Sequence, residues 1–178
     1  IYSVEALNSS VKKIIEKCVQ TLLNGNTLYF AGNGGSAAEA QHIAAEFVGR
    51  FQIERKGYPA IALTTDTSVI TSIGNDYSFE TIFSRQVEAL IRENDLLFLL
   101  STSGYSENLA KACDQARSQG AYCVGLLGKN GGLLKSRCDL EIVVPSRSTA
   151  RIQEIQLLIL HTICEATELR ITNLKSAN

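Results

Sequence analysis

The sequence predicts an α/β protein: a three-layer α/β/α sandwich on a parallel five-stranded sheet, flanked by an N-terminal helix and a long C-terminal helix. Three observations predict it. Short runs of consecutive apolar residues recur along the chain, segments with helical periodicity alternate with them, and glycine-bearing polar loops stand between the two. Strands apolar on both faces belong to a parallel sheet covered by helices on each side. Such sheets bind ligands outside the carboxyl ends of their strands.

The elements follow in order. Val11, Ile14, Ile15, Cys18, Leu22 and Leu23 recur at three- and four-residue spacing, which makes one face of a helix over about residues 3–24, stopped by Asn24-Gly25-Asn26. Thr27-Leu28-Tyr29-Phe30-Ala31 is a buried strand, followed at once by Gly32-Asn33-Gly34-Gly35-Ser36 and a helix over 37–50. A strand at 60–63 leads into a Ser/Thr-rich turn, then a helix near 80–92, then a strand at 95–100. The loop 101–106 and a helix at about 107–119 come next, then strands at 122–127 and 140–144. Pro145 ends the last strand, and the final helix starts near Thr149.

Length and composition fit one domain spanning 1–178: 178 residues, 45% of them apolar and 20% charged, suffice for a full core. With 17 basic against 18 acidic residues the net charge is −1, so no basic excess points to nucleic acid or an anionic membrane surface. No run approaches the roughly 20 apolar residues that cross a bilayer, and no basic-then-apolar leader opens the chain. The five cysteines (Cys18, Cys113, Cys123, Cys138, Cys164) are odd in number and form no C-x-x-C pair. Buried, reduced thiols and a cytoplasmic location are expected. The chain has no methionine; the expectation is that a leading segment, a helix, precedes it in a longer natural chain.

Two loops carry chemistry. In Gly32-Asn33-Gly34-Gly35-Ser36 the glycines allow a tight turn into a helix whose free N–H groups favour an anion; the competing reading is a plain turn with Ser36 as N-cap. Ser101-Thr102-Ser103-Gly104-Tyr105-Ser106 clusters hydroxyls after a buried strand and before a helix, and one hydroxyl suffices for a cap. The surplus points to phosphate held by hydroxyls and helix N–H groups. The chain's two histidines, His42 and His161, complete the candidates. His42 and Glu46 share a helix face at i, i+4, the spacing of metal-ligand pairs and equally of surface ion pairs. Gln153 and His161 share a face two turns apart on the last helix. Asp66 is expected to cap, and Arg50 either to neutralise substrate or to pair on the helix surface. Asp139, Glu141 and the segment 129–132 are assigned no chemistry.

At these residues the chain resembles the bacterial phosphoheptose isomerases, which belong to the sugar-isomerase (SIS) domain group. The resemblance rests on Gly32-Asn33-Gly34-Gly35-Ser36, on 38–50 with His42 and Glu46, on Ala60-Ile61-Ala62-Leu63-Thr64-Thr65-Asp66 and on Gly74-Asn75-Asp76. It continues through Phe83–Leu90, Ser101-Thr102-Ser103-Gly104 and Arg151-Ile152-Gln153-Glu154-Ile155 to His161, in order over most of the chain. Tyr105 stands at a position that varies in that family.

The resemblance implies a flavodoxin-like sandwich and a homotetramer with active sites between subunits. It implies one Zn2+ per subunit held by His42, Glu46, Gln153 and His161. Sugar and phosphate contacts would come from Asn33, Gly34, Gly35, Ser36, Glu46, Asn75, Asp76, Ser101, Thr102, Ser103, Ser106 and Gln153. The implied reaction converts sedoheptulose 7-phosphate to D-glycero-D-manno-heptose 7-phosphate through an enediol, opening ADP/GDP-heptose biosynthesis that feeds lipopolysaccharide or another heptose conjugate. Glu46 is the expected base between C1 and C2, and His161 the expected acid/base at the oxygens. Two alternatives share the fold: a non-catalytic adaptor that binds the replication initiator, and a sugar-phosphate-sensing domain. The acidic residue at 46 and the histidine at 161 favour the enzyme over the adaptor, and no DNA-binding module accompanies this chain as it does the sensors.

Overall fold

The five apolar runs pair as one all-parallel sheet. The structure is a computed structural model and describes residues 4–176; Ser3, included in the predicted first helix, lies outside them. The chain runs α1 (Val4–Leu23), β1 (Leu28–Gly32), α2 (Gly35–Val48), β2 (Ala60–Ala62), α3 (Thr67–Asp76), α4 (Ser84–Leu90), β3 (Leu96–Ser101), α5 (Glu107–Ser118), β4 (Tyr122–Gly128), β5 (Leu140–Val144) and α6 (Thr149–Ser176). Short 3-10 turns cover Phe79–Thr81 and Gly132–Leu134. The strand order is β2-β1-β3-β4-β5, with Leu28 opposite both Ala60 and Leu96, Leu96 opposite Tyr122, and Val124 opposite Leu140.

Alternation along the strands divides the core in two. Leu28, Phe30, Leu96, Phe98, Leu100, Val124 and Leu126 face a layer made by α1, α2 and α6. Tyr29, Ala31, Leu97, Leu99, Cys123, Leu127 and Val143 face the layer of α4 and α5. Phe30 stacks on Phe98 at 4.9 Å and lies 6.1 Å from Phe47 of α2, which joins sheet to helix at the centre of the first layer. All five cysteines are buried and unbridged. No helix among the described residues is long and apolar enough to cross a membrane.

Two elements differ from the sequence expectation. The expected Ser/Thr-rich turn after β2 is α3. Its Thr, Val and Ile residues are poor helix formers, but Asp66 caps it by accepting from the Val69 N–H at 3.0 Å, as expected of that residue. Thr71 and Ser72 turn their hydroxyls back onto the carbonyls of Thr67 and Val69, at 2.6 and 3.2 Å. Ile70 and Ile73 then pack on the second core. The helix expected near 80–92 is a 3-10 turn followed by α4, which ends at Leu90 because Ile91 is extended.

The segment between α2 and β2 is tied to α6 by a buried ion pair. Arg55 Nε meets Glu168 Oε1 at 2.8 Å, with the two side chains 7% and 1% exposed. The same carboxylate accepts the backbone N–H groups of Phe51, Gln52 and Ile53 at 3.1, 2.8 and 3.0 Å. Burial pushes the Glu168 carboxyl up, but the three N–H donors and Arg55 outweigh it and hold the group below the ordinary glutamate value.

Two stability predictions follow from this packing. Phe98→Ala removes half of the central stack and is expected to cost about 3–5 kcal/mol, measured by denaturant unfolding. The second concerns acid. Glu168 holds its proton less tightly folded than unfolded, so its stabilisation is complete above about pH 4.5 and is lost as pH falls through the lower folded value. The wild type is therefore expected to lose Tm on acidification more steeply than Glu168→Gln, which starts lower because Arg55 is left without its counter-charge.

Candidate active site

β1 lies between β2 and β3, so the connections leaving β1 and β3 depart to opposite faces and open a crevice between them. The two polar loops of the sequence flank this crevice. Asn33 and Asn108 bridge it with reciprocal amide hydrogen bonds of 3.0 and 2.9 Å. Asn33 thus spends one donor and one acceptor on the other loop and keeps its second N–H. Asn108 is a buried amide in the first turn of α5, and nothing in the sequence but its polarity at a core-facing position marks it.

Ser36 is not the N-cap of α2. Gly34, at φ +56°, takes that place with no side-chain cap, which leaves the first N–H groups of α2 without a side-chain acceptor. Ser36 is buried in the first turn and its hydroxyl bonds Glu39. Burial pushes the Glu39 carboxyl up to about 7, against the opposing Ser36 bond. Its Oε2 has no partner among the described residues. The absence of a side chain at Gly35 makes room for Gln153, since a Cβ there would lie 2.1 Å from its Nε2. Gln153 of α6 is thereby seated against the start of α2.

In the hydroxyl loop, Ser101 is buried; its Oγ accepts from the Gly104 N–H at 2.9 Å and meets Ser106 Oγ at 3.3 Å. Ser103 Oγ accepts from the Tyr105 N–H at 3.1 Å. Each hydroxyl that accepts from the loop retains its own proton for donation. Ser106 stands at the N-cap of α5 without a side-chain cap bond. Among the described residues no side-chain hydrogen bond holds Thr102. The 131–132 turn braces this loop from behind, since a Cβ on Gly104 (φ +73°) would lie 2.0 Å from the Gly131 carbonyl oxygen.

The two histidines meet. His42 Nε2 of α2 and His161 Nε2 of α6 are 2.8 Å apart, and Glu46 Oε1 is 3.6 Å from His42 Nε2. One ligand atom from each of the three residues fits within 4.8 Å of the others, a possible metal-binding site. Two imidazole nitrogens cannot face each other at 2.8 Å through lone pairs alone. A proton on one ring satisfies the contact, and so does a divalent cation taking both lone pairs with the carboxylate; two nitrogens and one oxygen suit zinc-like ions.

Other candidates lie apart. The side chains of Asn75 and Asp76, exposed at the end of α3, hydrogen-bond only to each other among the described residues, at 2.9 Å. Arg50 pairs with Glu54 at 3.2 Å. A cavity of about 160 Å³ opens beside Asn33 and Gly34, between β1 and α3. A larger groove of about 700 Å³, lined by apolar residues such as Ile61, Val69 and Leu90, follows the free edge of β2 and contains none of the candidate residues.

Comparison with known proteins identifies the family. The family model for the SIS domain matches residues 2–128. The phosphoheptose isomerase of Trichlorobacter lovleyi is 52% identical over 162 residues, covering 91% of this chain and 83% of that protein. The solved phosphoheptose isomerase of Francisella tularensis superposes with a TM-score of 0.88 at 38% identity, over 90% of this chain and 86% of that one. The corresponding figures for the enzyme of Neisseria gonorrhoeae are 0.87 and 40%, over 92% and 88%. The chain belongs to the SIS domain family and, within it, to the phosphoheptose isomerases. It is an isomerase.

Gly35→Ala tests the seat of Gln153. The obstructing atom is the end of a flexible side chain, so the variant is expected to keep its Tm within a few degrees. Displacing Gln153 is expected to lower turnover about 10–100-fold, read by steady-state kinetics.

Proposed function

We propose that this isomerase converts sedoheptulose 7-phosphate to D-glycero-D-manno-heptose 7-phosphate, the first step of ADP/GDP-heptose biosynthesis. The observation that carries the reading is the meeting of His42, Glu46 and His161 from two helices, with Gln153 on the same face of α6 packed against the start of α2. The names borne by relatives of high identity support the substrate class.

The loops supply the anchor. The start of α2, which carries no side-chain cap, and the hydroxyls of Ser101, Thr102, Ser103 and Ser106 suit a phosphate bound without a dedicated cation. That phosphate sits remote from the reacting carbons, and its binding energy orients them. Asn33, Gly34, Gly35 and Ser36 complete the cradle. In the assembled enzyme, Asn75 and Asp76 reach a site of the homotetramer rather than one within a single chain. The apolar outer face of the site helices, with Val48 52% and Leu158 65% exposed, supports burial between subunits.

The chemistry is a 1,2 proton shift. Glu46 removes the proton from C1 and returns it to C2 through an enediol, while His161 passes the hydroxyl proton from the C1 oxygen to the C2 oxygen. His42, Glu46, Gln153 and His161 would hold one Zn2+ per subunit. Bound there, the ion would polarise a carbonyl or hydroxyl oxygen of the substrate. The buried unbridged thiols fit a reducing, cytoplasmic setting.

Two measurements test this. Turnover of sedoheptulose 7-phosphate with product NMR is expected to fall when metal is stripped and to return on adding zinc; a zinc-loaded tetramer without turnover would sink the substrate assignment. Glu46→Gln is expected to lower kcat at least about 10³-fold at unchanged Tm, and near-wild-type kcat would show that another group is the base.

A further inference from the structure

Arg55 makes five hydrogen bonds. Its Nη2 donates to the carbonyl of Glu46 at 3.0 Å. Its Nη1 donates to the carbonyls of Phe47, Gly49 and Lys56 at 2.9, 3.2 and 3.2 Å. Its Nε donates to Glu168 at 2.8 Å. The guanidinium therefore caps the last turn of α2, where orphan carbonyls and the helix dipole both favour a cation. It does so four residues beyond His42, starting from the carbonyl of Glu46 itself. Glu168 lies seven residues after His161, two turns along the same face of α6. The pair joins the two helices one step beyond the place where their candidate ligands meet.

The same carboxylate reaches the candidate centre by a second route. It accepts the N–H groups of Phe51, Gln52 and Ile53, and the ring of Phe51 stacks on the imidazole of His161 at 5.5 Å and 21°. The His42 ring meets that imidazole edge-on at 5.1 Å and 72°. His161 is thus held in plane by Phe51 and met at its nitrogen by His42. A buried ion pair is a poor source of net stability, since desolvation consumes most of its attraction. What such a pair does supply is geometry.

We propose that Arg55, Glu168 and Phe51 are positioning residues of the centre: the buried pair sets α2 against α6, and Phe51, carried by the same carboxylate, fixes the plane of His161. The proposal rests on the metal and proton-transfer roles given above to His42, Glu46 and His161. Lysine cannot replace Arg55, because a single ammonium cannot span the end of α2 and Glu168 together. Phe51 is half-buried and packs on the margin of the first core layer, where leucine keeps an apolar side chain.

The test uses the full chain, stripped and reloaded, with zinc affinity read by competition against a chromophoric chelator and kcat and KM measured for sedoheptulose 7-phosphate. Phe51→Leu is expected to weaken zinc about 10–100-fold and to lower kcat, with KM within about twofold because the phosphate anchor is untouched. Phe51→Tyr, which keeps the ring, is expected to rescue both. Arg55→Lys is expected to show the Phe51→Leu losses together with a lower Tm. Folded Phe51→Leu and Arg55→Lys proteins with wild-type zinc affinity and kcat would overturn the proposal, as would a lower Tm as their single defect. If the wild type itself neither binds zinc nor turns over substrate, the assignment of the centre falls and this proposal with it. Wild-type binding and turnover beside unaffected variants removes the positioning role alone.

Discussion

α2 and α6 begin more than a hundred residues apart in sequence, yet they run side by side on one face of the sheet. Gln153 lies against Gly35 at the start of α2, His161 meets His42 two turns on, and Glu168 reaches the end of α2 through Arg55. Each contact is specific in a different way. The first needs the absence of a side chain, the second the facing of two ring nitrogens, and the third a planar, five-donor cation. A slip of one helix along the other by a single residue would break all three at once, because 1.5 Å of rise and 100° of rotation separate neighbouring positions.

The sheet supplies the second frame. Phe30 and Phe98 stack beneath α2 and fix its distance from β1 and β3. The reversal of strand order beside β1 sends its connection and that of β3 to opposite faces, and the Asn33–Asn108 amide pair closes the gap between them. The glycine-rich start of α2 and the His42–Glu46 pair therefore stand on one helix, about two to three turns apart.

Much of this was legible in the residues, for identifiable reasons. Apolar strand runs such as Leu96–Leu100 have a single reading when flanked by helical periodicity, and glycine-rich and hydroxyl-rich loops announce themselves by composition. α3 was not legible, since its helix depends on the Asp66 cap and on hydroxyls folding back onto carbonyls. The alternative of Ser36 as a cap is open from spacing alone, which does not reveal that Gly34, at φ +56°, already holds that place. Glu39 and Asn108 carry no such signal, because a polar residue on an amphipathic helix reads as solvated until its neighbours are placed.

By itself the sequence determined the layers, the strand runs and the pairing of His42 with Glu46, all of which depend on residues near one another in the chain and on fixed helical and strand periods. Tertiary structure decided that His161 would complete that pair, that Gln153 would press on Gly35, and that Glu168 would hold the segment carrying Phe51. These are contacts between residues separated by about half the chain or more. No local period encodes them; they exist because packing two helices onto one buried sheet face leaves a single register in which side-chain volume, hydrogen-bond donors and buried charge are all accommodated.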